Sequence, residues 1–151
     1  MHNIYYDRAG LPPYFGSPGW VKGDKEILIY DQYDVWAISP NGKSKRRLIN
    51  GREQGITYRL YDKLFEQYPS FSVTGKEYDL SNELVFRLEN RQTKKTGYAI
   101  WDSNTIKRLV YRDFYVDYLK KGANTYIYRK QKFDLSPQLI IAGESKKRIK
   151  F

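Results

Sequence analysis

"EILIYDQYDVWAISPNGKSKRRLING", residues 26–51, decides how the rest of the chain is read. Apolar residues alternate at Ile27 and Ile29 and again at Val35 and Ala37, with Trp36 and Ile38 on the opposite face. That period of two marks short strands rather than helix. The four residues Asp31-Gln32-Tyr33-Asp34 are a suitable length for a hairpin joint, and Asn41-Gly42 is among the strongest local turn signals. After it "KSKRRLI" can run back as a third strand, so the stretch reads as an antiparallel meander with a basic outer strand.

The same order recurs twice. "NELVFRLENRQTKKTGYAIWDSNTIKRLVYRD" gives an apolar strand around Leu84 to Leu88, a polar hairpin loop, a strand Tyr98 to Trp101, a turn at Asp102 to Asn104 and a basic strand ending in Leu109. "NTYIYRKQKFDLSPQLIIAGESKKRIKF" gives strands near Tyr126 to Arg129 and Gln138 to Ala142, a turn at Gly143 and a basic strand to Ile149. The basic stretches end alike, as Lys45 to Leu48, Ile106 to Leu109 and Lys146 to Ile149. Leu109 and Ile149 are 40 residues apart, which matches the roughly 40 to 50 residue period of a propeller blade. Leu48 and Leu109 are 61 apart. The excess lies in an additional strand at Ile56 to Tyr61 and a long excursion containing Pro69 and Gly75, with "LYDKLFEQY" (60–68) able to form one short helix. The expected class is all-β, an antiparallel β-propeller fragment of about two complete blades plus a partial one. It forms a single domain over 1–151 with units near 16–62, 76–118 and 119–151. The first fifteen residues, with Pro12-Pro13, are expected to lead into the first unit in extended form.

Composition narrows the class further. The chain of 151 residues is long enough for one domain with a sizeable core and short for two. Fifteen tyrosines bring hydroxyls that must reach water or a partner, which favours half-exposed sheets over a dry helical core. A net charge of +10 raises the prior for an acidic partner without choosing one. No cysteine is present, which excludes disulfides and thiolate zinc sites. No apolar run approaches the roughly 20 residues of a membrane helix, and the start lacks the form of a signal peptide. The chain is therefore expected to be soluble, with any export signal upstream.

Residues 16–51 carry a resemblance. Trp20, Gly23-Asp24, the apolar strand Ile27 to Tyr30, Asp34-Val35-Trp36, Pro40-Asn41-Gly42, the basic Lys45 to Arg47 and Leu48-Ile49-Asn50-Gly51 follow one another as in the propeller repeat of the prolyl oligopeptidase family of serine peptidases. The likeness is strongest to bacterial dipeptidyl-peptidase-like members and extends to TolB-like propellers. Ile49 stands where Thr is usual. "LVFRLENRQTKKTGYAIWD" and "YIYRKQKFDLSPQLIIA", with Ser136-Pro137-Gln138-Leu139, resemble the last blades before the hydrolase domain. The resemblance implies a non-catalytic segment that gates peptide access to a C-terminal α/β-hydrolase domain. It also implies further blades, peptide substrates and a periplasmic or secreted parent. The alternatives are a stand-alone TolB/WD40-like interaction module and a polyanion-binding β protein.

No catalytic, cofactor-binding or metal residue is assigned. The hydrolase nucleophile needs G-x-S-x-G followed by Asp and His in chain order. The nearest string, Gly143-Glu144-Ser145-Lys146-Lys147, fails at its last position, and the sole histidine, His2, precedes every candidate serine. Asp31 and Asp34 flank a hairpin and are read as turn residues bonding local N–H groups rather than calcium ligands. Trp101-Asp102 is read as a tryptophan packed between units with Asp opening a turn, and Trp20 and Trp36 likewise. Lys43, Lys45, Arg46, Arg47, Lys107, Arg108, Lys146, Lys147, Arg148 and Lys150 form a solvated basic rim in this reading, with lysines guarding edge strands. Nucleic acid and membrane are not expected as partners.

Overall fold

The computed structural model describes residues 9–10, 14–61, 76–102, 104–123 and 125–143. These form an all-β structure of antiparallel sheets. Its strands are β1 (Gly19–Val21), β2 (Ile27–Tyr30), β3 (Val35–Ile38), β4 (Lys45–Arg47), β5 (Thr57–Leu60), β6 (Glu77–Tyr78), β7 (Leu84–Glu89), β8 (Thr96–Asp102), β9 (Thr105–Arg112), β10 (Tyr115–Lys121), β11 (Thr125–Lys132) and β12 (Leu135–Gly143). A single 3-10 turn, Arg52–Gln54, is the helical element among the described residues. The strands hydrogen-bond into three sheets, in the orders β4-β3-β2-β1-β6, β5-β7-β8-β9 and β10-β11-β12. Every pairing is antiparallel except that of β6, which lies parallel to β1.

Side-chain alternation stacks the sheets. Leu28, Val35 and Ala37 of the first sheet are fully buried against Tyr58, Leu60, Phe86, Leu88, Ala99 and Trp101 of the second. The other face of the second sheet presents Val85, Tyr98, Ile100 and Val110 to Val116, Leu119, Tyr126, Tyr128 and Ile140 of the third. The middle sheet therefore has a core on both sides. Among the described residues each outer sheet has a core on one side only, and its remaining face is apolar, half-buried on the first sheet and exposed on the third. On the first sheet, Ile27 pairs with Ile38 and Ile29 with Trp36, and all four are half-buried. On the third, Ile127 pairs with Ile141 across the strands, and Ile127, Leu139 and Tyr118 are exposed.

Several local expectations change. Within Ile27 to Tyr30 the buried residue is Leu28, because its cross-strand partner is the buried Ala37, and Ile27 and Ile29 face outward. The strand at Ile56 to Tyr61, grouped with the first unit at 16–62, hydrogen-bonds to β7 and opens the second sheet. Part of the 76–118 unit leaves the second sheet: β6 joins the first, and β10, starting at Tyr115, belongs to the third. Each sheet thus begins one strand earlier than the apolar strand that marks it in sequence. β12 runs through Gly143 where a turn was expected. The helix considered for 60–68 falls largely outside the described residues, but Leu60 itself is in β5. Pro12-Pro13 and the third basic strand also lie outside them.

Candidate functional site

Strand registers bring one set of connections to a common end of the stack. Tyr30 pairs with Val35, Thr57 with Glu89, Thr96 with Arg112, and Tyr115 with Gln131. The 31–34 and 90–95 hairpins, the 113–114 turn and the 133–134 hairpin therefore share that end, together with the 3-10 turn Arg52–Gln54.

Asp31 and Asp34 organise the first hairpin. Asp31 Oδ1 accepts the backbone N–H groups of Tyr33 at 2.8 Å and Asp34 at 2.6 Å, while Oδ2 accepts Trp36 Nε1 at 3.1 Å and Arg52 Nη2 at 2.9 Å. Asp34 Oδ1 accepts the N–H groups of Gly51 at 2.5 Å and Arg52 at 3.1 Å, and Oδ2 accepts Arg47 Nη1 at 3.2 Å. This is the turn chemistry expected of short acidic side chains, extended across 17 residues to tie the hairpin to the next connection. Burial raises the Asp31 pKa, but the hydrogen bonds from Asp34, Trp36, Tyr33 and Arg52 outweigh it and the net shift is downward. For Asp34 burial dominates, Asp31 repels its charge, and the net shift is upward despite the Gly51 and Arg52 N–H groups.

Arg59 joins the first two sheets from β5. Its Nη1 donates to Tyr58 O at 2.7 Å, and its Nη2 donates to Asp31 O at 2.7 Å and Gln32 O at 3.3 Å. The guanidinium lies 4.5 Å from the Tyr30 ring centroid and 5.8 Å from that of Phe15. Burial pulls its pKa down, Tyr30 and Asp31 oppose that, and Arg91 adds to it. Carbonyls and rings hold this charge; no carboxylate forms an ion pair with it among the described residues.

Beside Arg59, a small cleft of about 80 Å³ opens between the two hairpins and the residue after the 3-10 turn. Gln32, Tyr33, Thr57, Asn90, Arg91 and Gln92 wall it, with Gly55 at one side. Asn90 is nearly fully buried, and its Oδ1 accepts the N–H groups of Gln92 at 3.0 Å and Thr93 at 2.8 Å. Those two donors fix the amide orientation and turn Nδ2 toward Gly55, where a Cβ would sit 3.4 Å from it. Gly55 has φ +62°, the left-handed conformation that glycine adopts without strain. A second, larger depression of about 310 Å³ lies on the open face of the third sheet, lined by Tyr118, Arg129, Pro137, Gln138 and Leu139. Arg129 is engaged there by Asp117 at 2.8 and 2.6 Å.

The basic residues noted in the sequence separate into two kinds. Arg46 is bidentate to Glu26 at 3.0 and 2.7 Å, and Arg47 pairs with Asp34 and with Glu53 at 2.6 Å. Arg108 reaches Gln54 Oε1 and lies 5.2 Å from the Tyr111 ring centroid. Lys43, Lys45 and Lys107 are exposed and form no ion pair among the described residues. β4 and β9, which carry most of them, are edge strands of the first and second sheets. Lys146, Lys147, Arg148, Lys150, Ser145 and His2 lie outside the described residues. Trp101 is buried in the first core with Nε1 donating to Leu80 O at 3.2 Å. Trp36 differs, since it stands half-buried on the face of the first sheet away from that core, and Trp20 is likewise half-buried. Sequence reading missed Arg59 and Asn90: one sits inside an apolar strand pattern, the other in a loop read only as polar. Comparison of the chain with family models, curated proteins and solved structures gives no match.

Proposed function

We propose that this chain is a segment of the non-catalytic β-propeller of a prolyl oligopeptidase-like serine peptidase, its three sheets being consecutive blades. One observation carries the reading: among the described residues the sheets stack in chain order, each opened by its own first strand, and the outer face of the third keeps Tyr118, Ile127 and Leu139 exposed. Propeller blades bury such faces against their neighbours around a ring. The resemblance of residues 16–51 and of the later strands supplies the family. In that setting the segment gates peptide access to a hydrolase domain carried elsewhere in the parent, with the remaining blades as its immediate partners.

The reading frame on either side tests this. A hydrolase domain with G-x-S-x-G, followed by Asp and His, is expected downstream. A frame that ends without such a domain, or that adds only further blades, overturns the peptidase assignment and leaves the stand-alone interaction module.

A further inference from the structure

We infer that Asn41 is a site of spontaneous covalent modification, losing its side-chain amide to attack by the backbone nitrogen of Gly42, while the fold protects the same dipeptide at Asn50-Gly51. The chain contains Asn-Gly at these two places. A glycine in second position leaves its nitrogen with no Cβ beside it, so base and the preceding side chain both reach it. Sequence alone treats the two dipeptides alike. Their surroundings separate them, whether or not the sheets belong to a ring.

Asn41 and Gly42 are both exposed at the tip that joins β3 to β4. A Cβ built on Gly42 would meet nothing within 4 Å, so water and base have open access to its nitrogen. Asn41 Oδ1 accepts the Lys43 N–H at 3.0 Å and the Ser39 hydroxyl at 2.8 Å. The Lys43 bond folds the side-chain carbonyl over the Gly42 peptide, which presents Cγ to the nitrogen as an intramolecular electrophile. Both donors remain on Oδ1 as it takes up negative charge, the arrangement that stabilises an oxyanion. The opposing bond, Gly42 N–H to Ser39 O at 2.8 Å, lies within the same exposed tip. At the other dipeptide Gly51 is buried, and its N–H donates to Oδ1 of the fully buried Asp34 at 2.5 Å. A Cβ there would run into Ile56 O, the Tyr58 ring and Tyr33 O. Freeing that nitrogen requires opening the tie between the 31–34 hairpin and the 3-10 turn, which costs more than opening an exposed tip.

The reaction needs only water as co-reactant. Base removes the Gly42 N–H proton, the nitrogen bonds to Asn41 Cγ, and the Cγ–Nδ2 bond breaks as Nδ2 takes up a proton and leaves as ammonia. The product is a cyclic imide. Water then adds to one of its two carbonyls and reopens the ring, leaving either an aspartate at this position or an isoaspartate whose backbone runs through Cγ. Both replace a neutral amide by a carboxylate. The isoaspartate also lengthens the tip that sets Ile38 opposite Lys45, so β4 is held less firmly on β3.

The test is to age the whole 151-residue chain in warm neutral buffer and, in parallel, in concentrated urea, and to follow amide loss at each asparagine by peptide mapping and mass spectrometry. In buffer Asn41 is expected to react faster than Asn50 by about ten-fold or more. In urea, where the Asp34–Gly51 tie is gone, the two should react at similar rates. Asn41→Gln, whose longer side chain would have to close a larger ring, should keep its amide under the same conditions. Equal rates at the two asparagines in buffer, faster loss at Asn50, a rate ratio unchanged by urea, or amide loss by Asn41→Gln at the native rate would overturn the inference.

Discussion

Asp31 and Asp34 stand three residues apart and are pushed in opposite directions by the same hairpin. Asp31, like Glu26 and Glu83, is held below the ordinary carboxylate range, in their case by Arg46 and by Tyr126 with Lys121 against the opposing effect of burial. Such groups stabilise the fold above their unfolded pKa and lose that contribution as pH falls through their folded values. Asp34, raised above 3.8, has the reverse sign: its contribution is greatest in acid and is lost as pH rises through its folded value. Urea unfolding followed from about pH 6 to pH 3 should therefore show falling stability, and Asp34→Asn should make that fall steeper. An unchanged slope in the variant would refute the assigned direction. At pH 7, Asp31→Asn should cost about 2 kcal/mol, since its new NH2 group would face Trp36 Nε1 and Arg52, two donors. Asp34→Asn should cost less, because it also removes a charge that burial disfavours. The turn role of both aspartates was legible from their place between two apolar strands. Their partners Gly51 and Arg52 were not, because that contact crosses two strands and depends on how β4 returns.

At the scale of elements, the meander β2-β3-β4 and the hairpin β7-β8 were readable because each is a local pairing with a polar turn between apolar strands. β5 and β10 were not placed correctly, and each for a physical reason. β5 is separated from its partner β7 by the excursion through residues 61–83, so no local pattern announces the pairing. β10 has a register shift between Asp117 and Lys120, with Tyr118 at φ +57°, which breaks the period of two between the buried Val116 and Leu119. The β8–β9 pairing also depends on a close approach. A Cβ on Gly97 would lie 2.0 Å from Val110 O and 2.8 Å from Tyr111 Cα, both backbone atoms. Gly97→Ala must push the two strands apart and is expected to cost about 3 kcal/mol. Gly122→Ala, where a Cβ would rest 3.6 Å from Thr125 O, should change stability by less than about 1 kcal/mol. Thermal unfolding of the two variants side by side distinguishes them, and equal effects would contradict the register given for β8 and β9.

At the scale of the whole molecule, the described residues stack three sheets with a core on each side of the middle one, an exposed apolar face on the third and a half-buried one on the first. The all-β class was visible in the sequence because alternation and turn residues are local. The stacking was not, since any sheet with one apolar face could close against a helix or a second sheet. The central claim is that these faces belong against further sheets. Ile127, Leu139 and Tyr118 on one side are exposed, and Ile27, Ile29, Trp36 and Ile38 on the other are half-buried, so the third sheet's outer face is the one that presents an apolar patch to water. The most direct measurement is sedimentation combined with denaturant unfolding of the 151-residue chain over a wide range of concentration. Concentration-dependent association is predicted, reduced by Leu139→Lys on the open third sheet, with low stability in the dilute monomer. A monomer at every concentration, unfolding in one cooperative transition unaffected by dilution and untouched by Leu139→Lys, would contradict it.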